Sequence, residues 1–129
     1  MKYLTKEQIL LVHSIAIDES GGAHGVRDFD AILSLEILLA QKAFGKELYK
    51  GVFVKAALYA RNIIMSHPFI DGNKRTGIIS ASVFLELNDY FLAALDGEVE
   101  NFAVRIVTEK LDINNIADWL KRNSKKAKR

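Results

Sequence analysis

The sequence of 129 residues predicts an all-α fold, a compact six-helix bundle with one unusual loop between two central helices. Three observations predict it. Apolar residues recur at helical spacing in successive stretches, helix-start signatures precede several of them, and there is no internal repeat, heptad array or interdomain linker. Half of the residues are apolar, enough for one sizeable core at this length.

Taken in order, Thr5-Lys6-Glu7-Gln8 fits a capping box ahead of Ile9, Leu10, Val12, Ile15 and Ala16. This first helix is expected to run to about Ser20, where Gly21-Gly22 ends it. The next segment, GGAHGVRD, has loop composition. Asp28 or a neighbour caps a second helix, whose run AILSLEILLAQKAF is apolar on more than one face. Such a helix is either central and buried or meets a partner. After Gly45 to Lys50, GVFVKAALYARNIIMS supplies a third, with Val54, Leu58 and Met65 near one face and Arg61 on the same stripe. It ends near His67, because Pro68 biases the residue before it away from helical angles. A fourth begins in GNKRT and keeps Ile79, Val83 and Leu87 in phase. DYFLAAL is open between a short strand and a turn of helix. EVENFAVRIVTEKL reads as a fifth helix, and Asp112 caps a sixth through Trp119. Residues 1–120 form one domain, and 121–129 are a basic tail.

Composition limits the chemistry. Without cysteine there is neither a disulfide nor a thiolate metal site, which suits a reducing cytoplasm. The start, MKYLTKEQILLVH, lacks the pattern of a secretory signal, and polar residues interrupt every apolar run before membrane-spanning length. The expectation is a soluble, cytoplasmic protein. The net charge of +2 conceals a division, since the last nine residues hold six of the eighteen basic residues and no acid. The body alone is mildly acidic.

Residues 66–76, SHPFIDGNKRT, hold the only proline, one of three histidines, an Asp-Gly pair and two adjacent cations between two apolar helices. A helix starting in GNKRT points unpaired N–H groups into the preceding loop, where they and the helix dipole favour an anion. Gly72 lets that anion approach the backbone closely. Lys74 and Arg75 in the first turn oppose the dipole unless something negative binds between them. Asp71 beside an anion-attracting turn is a contradiction unless a divalent cation such as Mg²⁺ bridges carboxylate and phosphate. His67, four residues earlier, supplies an imidazole able to take a proton near neutral pH. A base, a metal ligand, a backbone nest and two cations make a constellation for phosphoryl or nucleotidyl transfer. The plain alternative is a turn at Pro68 and Asp71-Gly72, a helix cap at Asn73 and a solvated Lys74-Arg75 face. Spacing alone leaves both open.

His67-Pro68-Phe69-Ile70-Asp71-Gly72-Asn73-Lys74-Arg75 resembles the signature of the Fic/Doc family, H-x-F-x-[DE]-G-N-x-R, at every fixed position. The flanking apolar helices, the glycine-rich loop and the length resemble its compact Doc branch. The resemblance implies that His67 deprotonates a target hydroxyl, that Asp71 holds Mg²⁺ on the phosphates of ATP, and that Phe69 is buried to anchor the loop. It also implies that Gly72 and Asn73 shape the phosphate-cradling turn, and that Lys74 and Arg75 neutralise phosphate charge. Relatives that transfer AMP typically have Gly where this chain has Lys74 and a second Arg where it has Ile78. The N-K-R form is similar to that of Doc toxins, which present the γ-phosphate and phosphorylate a threonine of elongation factor Tu, inhibiting translation. The family's inhibitory helix, [ST]-x-x-x-E-[GN], has no match here, because Asp96 stands four before Glu100-Asn101. Doc-like toxins are restrained instead by a separate antitoxin, whose disordered segment folds onto the toxin.

Other features weigh less. His13 in an amphipathic helix reads as structural and His24 as an exposed loop residue. The histidine spacing offers no transition-metal pair. Arg61 either pairs with an acid in the core or reaches the phosphate site. The tail suggests nucleic acid as a rival from another class, but it lacks aromatic residues for base stacking, so a solvated or partner-binding role is preferred, with any DNA contact made through the antitoxin. A non-catalytic binding module with a degenerate site is disfavoured, since every charged position of the signature is present. AMP transfer to a protein is the runner-up to phosphate transfer.

Overall fold

The computed structural model describes residues 1–43 and 46–127. Six helices carry the architecture: α1 (Lys6–Ser20), α2 (Phe29–Ala40), α3 (Val52–Ser66), α4 (Asn73–Leu87), α5 (Asp96–Thr108) and α6 (Ile113–Arg122). Two antiparallel ribbons accompany them. In the first, β1 (Lys42–Ala43) pairs with β2 (Lys46–Glu47), Lys42 opposite Glu47. In the second, β3 (Tyr90–Leu92) pairs with β4 (Ser124–Lys126), Phe91 opposite Lys125. The all-α expectation holds.

The capping box is present as expected, with Gln8 N–H donating to Thr5 Oγ1 at 3.1 Å and Thr5 N–H to Gln8 Oε1 at 2.8 Å. A second, at Asp112 and Asn115, opens α6. The central helix is α3, whose residues Lys55 to Ala60 are all buried. It packs most extensively on α4 and α6. Gly77 lets α3 and α4 close, since a Cβ there would stand 2.9 Å from the Ala60 carbonyl and 2.8 Å from Ile64 Cγ1. The buried Lys55 reaches the Tyr3 hydroxyl, and its ammonium lies 5.0 Å from that ring's centroid.

The structure adds detail where the sequence left readings open. The apolar α2 is peripheral, burying Ile32, Leu35 and Leu39 but leaving Ile37 exposed; α3 takes the central place. DYFLAAL resolves as strand β3. In the basic segment 121–129, Lys121 and Arg122 complete α6 and 124–126 form the strand beside β3, with Lys121, Arg122, Lys125 and Lys126 exposed. Backbone pairing across the ribbon leaves these basic side chains in solvent. Phe44 and Gly45, and the last tail residues Lys128 and Arg129, lie outside the described residues. Among the described residues no helix is long and apolar enough to cross a membrane.

Candidate active site

The loop between α3 and α4 is shaped by contacts with the segment before α2. His67 ends α3 in the left-handed region, at φ 49° and ψ 57°. Pro68 follows it, and proline has no N–H with which to close the last turn. Donors come from elsewhere. The Arg27 and Asp28 amides both donate to the Pro68 carbonyl, at 2.7 and 2.9 Å. Val26 forms an antiparallel bridge with Phe69, and Ile70 N–H donates to the Gly25 carbonyl at 3.1 Å. Gly25 is required there, because a Cβ would lie 2.5 Å from Ile70 Cδ1 and φ is +132°.

Phe69 is buried, as the family resemblance implies. The His13 ring lies against it, and His13 Nε2–H donates to the Asp71 carbonyl at 2.8 Å. Asn73 latches the same segment from the other side. Its Oδ1 accepts from Phe69 N–H at 3.0 Å, and its Nδ2 donates to the Phe69 carbonyl at 2.9 Å. Asn73 is therefore not the helix cap of the plain alternative; its side chain is spent on the loop.

The N-cap of α4 is Gly72, in the left-handed region at φ 77°, and no side chain among the described residues caps it. The first helical bond of α4 runs from Thr76 N–H to the Gly72 carbonyl at 2.9 Å. The amides of Asn73, Lys74 and Arg75 precede that bond and have no intrahelical acceptor. Asp71 stands beside them. Its Oδ1 accepts from Gly72 N–H at 2.9 Å and its Oδ2 from Ala23 N–H at 3.2 Å.

A cavity of about 570 Å³ is lined by Arg27, His67, Asp71, Gly72, Asn73 and Lys74 among others. Arg75 does not line it. It faces a neighbouring groove of about 500 Å³ between α4 and α5, with Ile78 and Ala103, and Lys74 borders both. The donor set for a metal is small. Among the described residues no three His, Asp or Glu side chains gather, so a dedicated cage is not built. An exposed carboxylate whose oxygens each keep a lone pair beside uncapped amides does fit Mg²⁺, which is commonly held by one or two carboxylates plus substrate phosphates.

Sequence reasoning overlooked Arg27 and gave His13 no part in the site. Arg27 Nε donates to the His67 carbonyl and its Nη2 to the Ser66 carbonyl, both at 2.6 Å. The signal available was the Pro68 itself, which implies an outside donor for the end of α3. His24 stays apart, paired with Asp18 at 2.7 Å. Arg61 takes neither expected route and donates from Nε to the Leu111 carbonyl at 3.1 Å.

Comparisons with known proteins agree with the architecture. The Toxin Doc of Mycolicibacterium smegmatis is 32% identical over 119 residues, covering 90% of this chain and 88% of that protein. The Protein kinase doc of Escherichia phage P1 is 28% identical over 126 residues, covering 95% of each. The model of the Fic/DOC family matches residues 3–85, from the segment before α1 through the loop and nearly all of α4. With α1 to α3, the loop, most of α4 and well over half of its length so matched, this chain belongs to the Fic/DOC family.

Proposed function

We propose that this protein is a Doc-like toxin that transfers the γ-phosphate of ATP to a hydroxyl of a protein, with elongation factor Tu as its target, and that an antitoxin restrains it. The observation that carries the reading is the uncapped start of α4 beside His67 and Asp71 in one cavity. The names of the relatives, a toxin and a protein kinase, support the same branch.

In this mechanism the phosphate rests on the first-turn amides of α4, with Lys74 beside it, where dipole and ammonium favour its negative charge. The target's hydroxyl oxygen attacks the γ-phosphorus as the imidazole of His67 accepts its proton; the bond from phosphorus to the β-γ bridging oxygen breaks, and ADP leaves. Asp71 is the residue that would hold Mg²⁺, which supplies charge neutralisation on the phosphates. Arg75 acts from the adjoining groove on the rest of the nucleotide. Lys74 and Ile78 stand where AMP-transferring relatives carry Gly and Arg, and Ile78 is buried, so no second cation reaches the phosphates from that position.

The test is labelling. Incubated with this protein, Mg²⁺ and purified elongation factor Tu, ATP labelled at the γ-phosphate is expected to mark the target, and ATP labelled at the α-phosphate is not. Label from the α-position alone would make the protein an AMP transferase.

A further inference from the structure

The end of α3 is short of donors for a reason that lies in the sequence. Helix carbonyls at a C-terminus usually find amides from the residues that follow, and a left-handed residue commonly turns the chain so that they can. His67 makes that turn, but Pro68 follows with no N–H to give. No basic residue occupies the last turn of α3 either. The carbonyls of Ser66 and His67 are instead met by one guanidinium, Arg27, from a loop about forty residues earlier. The same residue's backbone amide holds the Pro68 carbonyl. Arg27 thus meets three successive carbonyls around the imidazole, those of Ser66 and His67 with its side chain and, together with the Asp28 amide, that of Pro68 with its backbone N–H.

We infer that Arg27 is a positioning residue for His67, bridging the Ser66 and His67 carbonyls so that the strained turn carrying the imidazole keeps one orientation toward the cavity. The chemistry suits arginine. Two acceptors on consecutive residues need a planar fork with two donors at fixed spacing, and a lysine ammonium reaches them only as a single point. The cation also lies at the negative end of the α3 dipole, where it is favoured. A non-glycine residue in the left-handed region persists only where its surroundings over-determine it. Arg27 is the surrounding group that does so here, and it borders the cavity in which the base works.

This inference rests on the proposed phosphate transfer for its catalytic consequence but not for its geometry, and the experiment separates the two. Protein carrying ¹⁵N-histidine gives ring resonances for His13, His24 and His67, with His67 assigned from the spectrum of His67→Ala. In Arg27→Met the His67 resonances are expected to move and broaden while those of His24 stay. Transfer from ATP is expected to fall about 10- to 100-fold in kcat, the scale of a reactive group slightly misplaced, with KM for ATP within about twofold. Arg27→Lys is expected to lie between the two proteins. If Arg27→Met fails to fold, the same comparison is read on Arg27→Lys. Unmoved His67 resonances, or a kcat equal to wild type, would overturn the inference. If the wild type itself transfers nothing from ATP, the functional proposal fails, and the His67 resonances alone decide the role of Arg27.

Discussion

The imidazole of His13 lies flat on the ring of Phe69, centroids 3.8 Å apart and planes 4° from parallel, while its Nε2–H donates to the carbonyl of Asp71. The acceptor is a carbonyl, so Nε2 must carry the proton, which fixes the tautomer of a buried ring. One side chain of α1 thus holds both the anchor of the loop and the residue before its glycine.

His13→Ala is expected to lower stability by about 2–3 kcal/mol, from the lost stack and hydrogen bond together. His13→Phe keeps an aromatic face but leaves the Asp71 carbonyl unpaired, and should cost about 1 kcal/mol. Urea midpoints check both; equal stability of the two variants would show that the hydrogen bond, not the stack, carries the contact.

Removing the proposed base, His67, separates chemistry from fold. His67→Ala and His67→Gly are each expected to lower transfer by ~10²–10⁴ while leaving the helical circular-dichroism spectrum unchanged. The two variants differ in strain, since alanine keeps the penalty of φ 49° and glycine does not. His67→Gly should be the more stable by about 1 kcal/mol. Near-normal activity in either folded variant contradicts the mechanism.

Asp71→Ala is expected to abolish metal-dependent transfer. Because the carboxylate is exposed, its bonds to the Ala23 and Gly72 amides add little to stability, and the melting temperature should move by only a few degrees. Full activity of the wild type in excess EDTA would remove Asp71 from the metal role.

Gly77 tests the closeness of α3 and α4. Alanine is the better helix former by about 1 kcal/mol, but its Cβ would meet the Ala60 carbonyl, which belongs to a buried helix and cannot swing aside. Overpacking of this kind costs about 1–3 kcal/mol, so the clash should win and Gly77→Ala should destabilise. A rise in the urea midpoint would show that the helices can part.

Alkaline stability depends on Tyr59. Burial pushes its phenol well above the usual tyrosine range, against the smaller opposing effect of its hydrogen bond to Leu4. Below about pH 10 the phenol is protonated in both states and its contribution is complete. As pH rises further, the unfolded chain releases the proton and the folded chain holds it, so stability falls. Tyr59→Phe is expected to be less stable at neutral pH, losing both bonds to Leu4, yet to decline less steeply between about pH 9 and 11. Parallel declines in urea midpoint would assign the loss to other groups.

What the sequence made legible was local. The Thr5 and Asp112 caps, the stop before Pro68 and the start at Gly72 follow from residues within a few positions of one another. The chemistry proposed for the loop rests on the same kind of neighbourhood, as His67, Asp71 and the helix start are contiguous. What escaped was set by distant contacts. Arg27 meets His67 across 40 positions, and His13 meets Asp71 across 58. Neither residue differs in its own neighbourhood from an ordinary surface arginine or helix histidine. The strand at 124–126 was hidden likewise, because its partner at 90–92 is remote and its composition is that of a solvated segment.

The pairing near the end of α4 has a practical reach. Lys2 exchanges two hydrogen bonds with the side chain of Asn88, and Ala127 N–H donates to the carbonyl of the next residue, Asp89. Residues 2 and 127 are thereby moored side by side, a helix length of roughly 22 Å from the glycine that opens α4. A fluorophore, an affinity tag or a fused domain attached at either point departs from the pole opposite the cavity. A circular permutant joining the two points and cut elsewhere would keep the pole that carries the cavity free of the join.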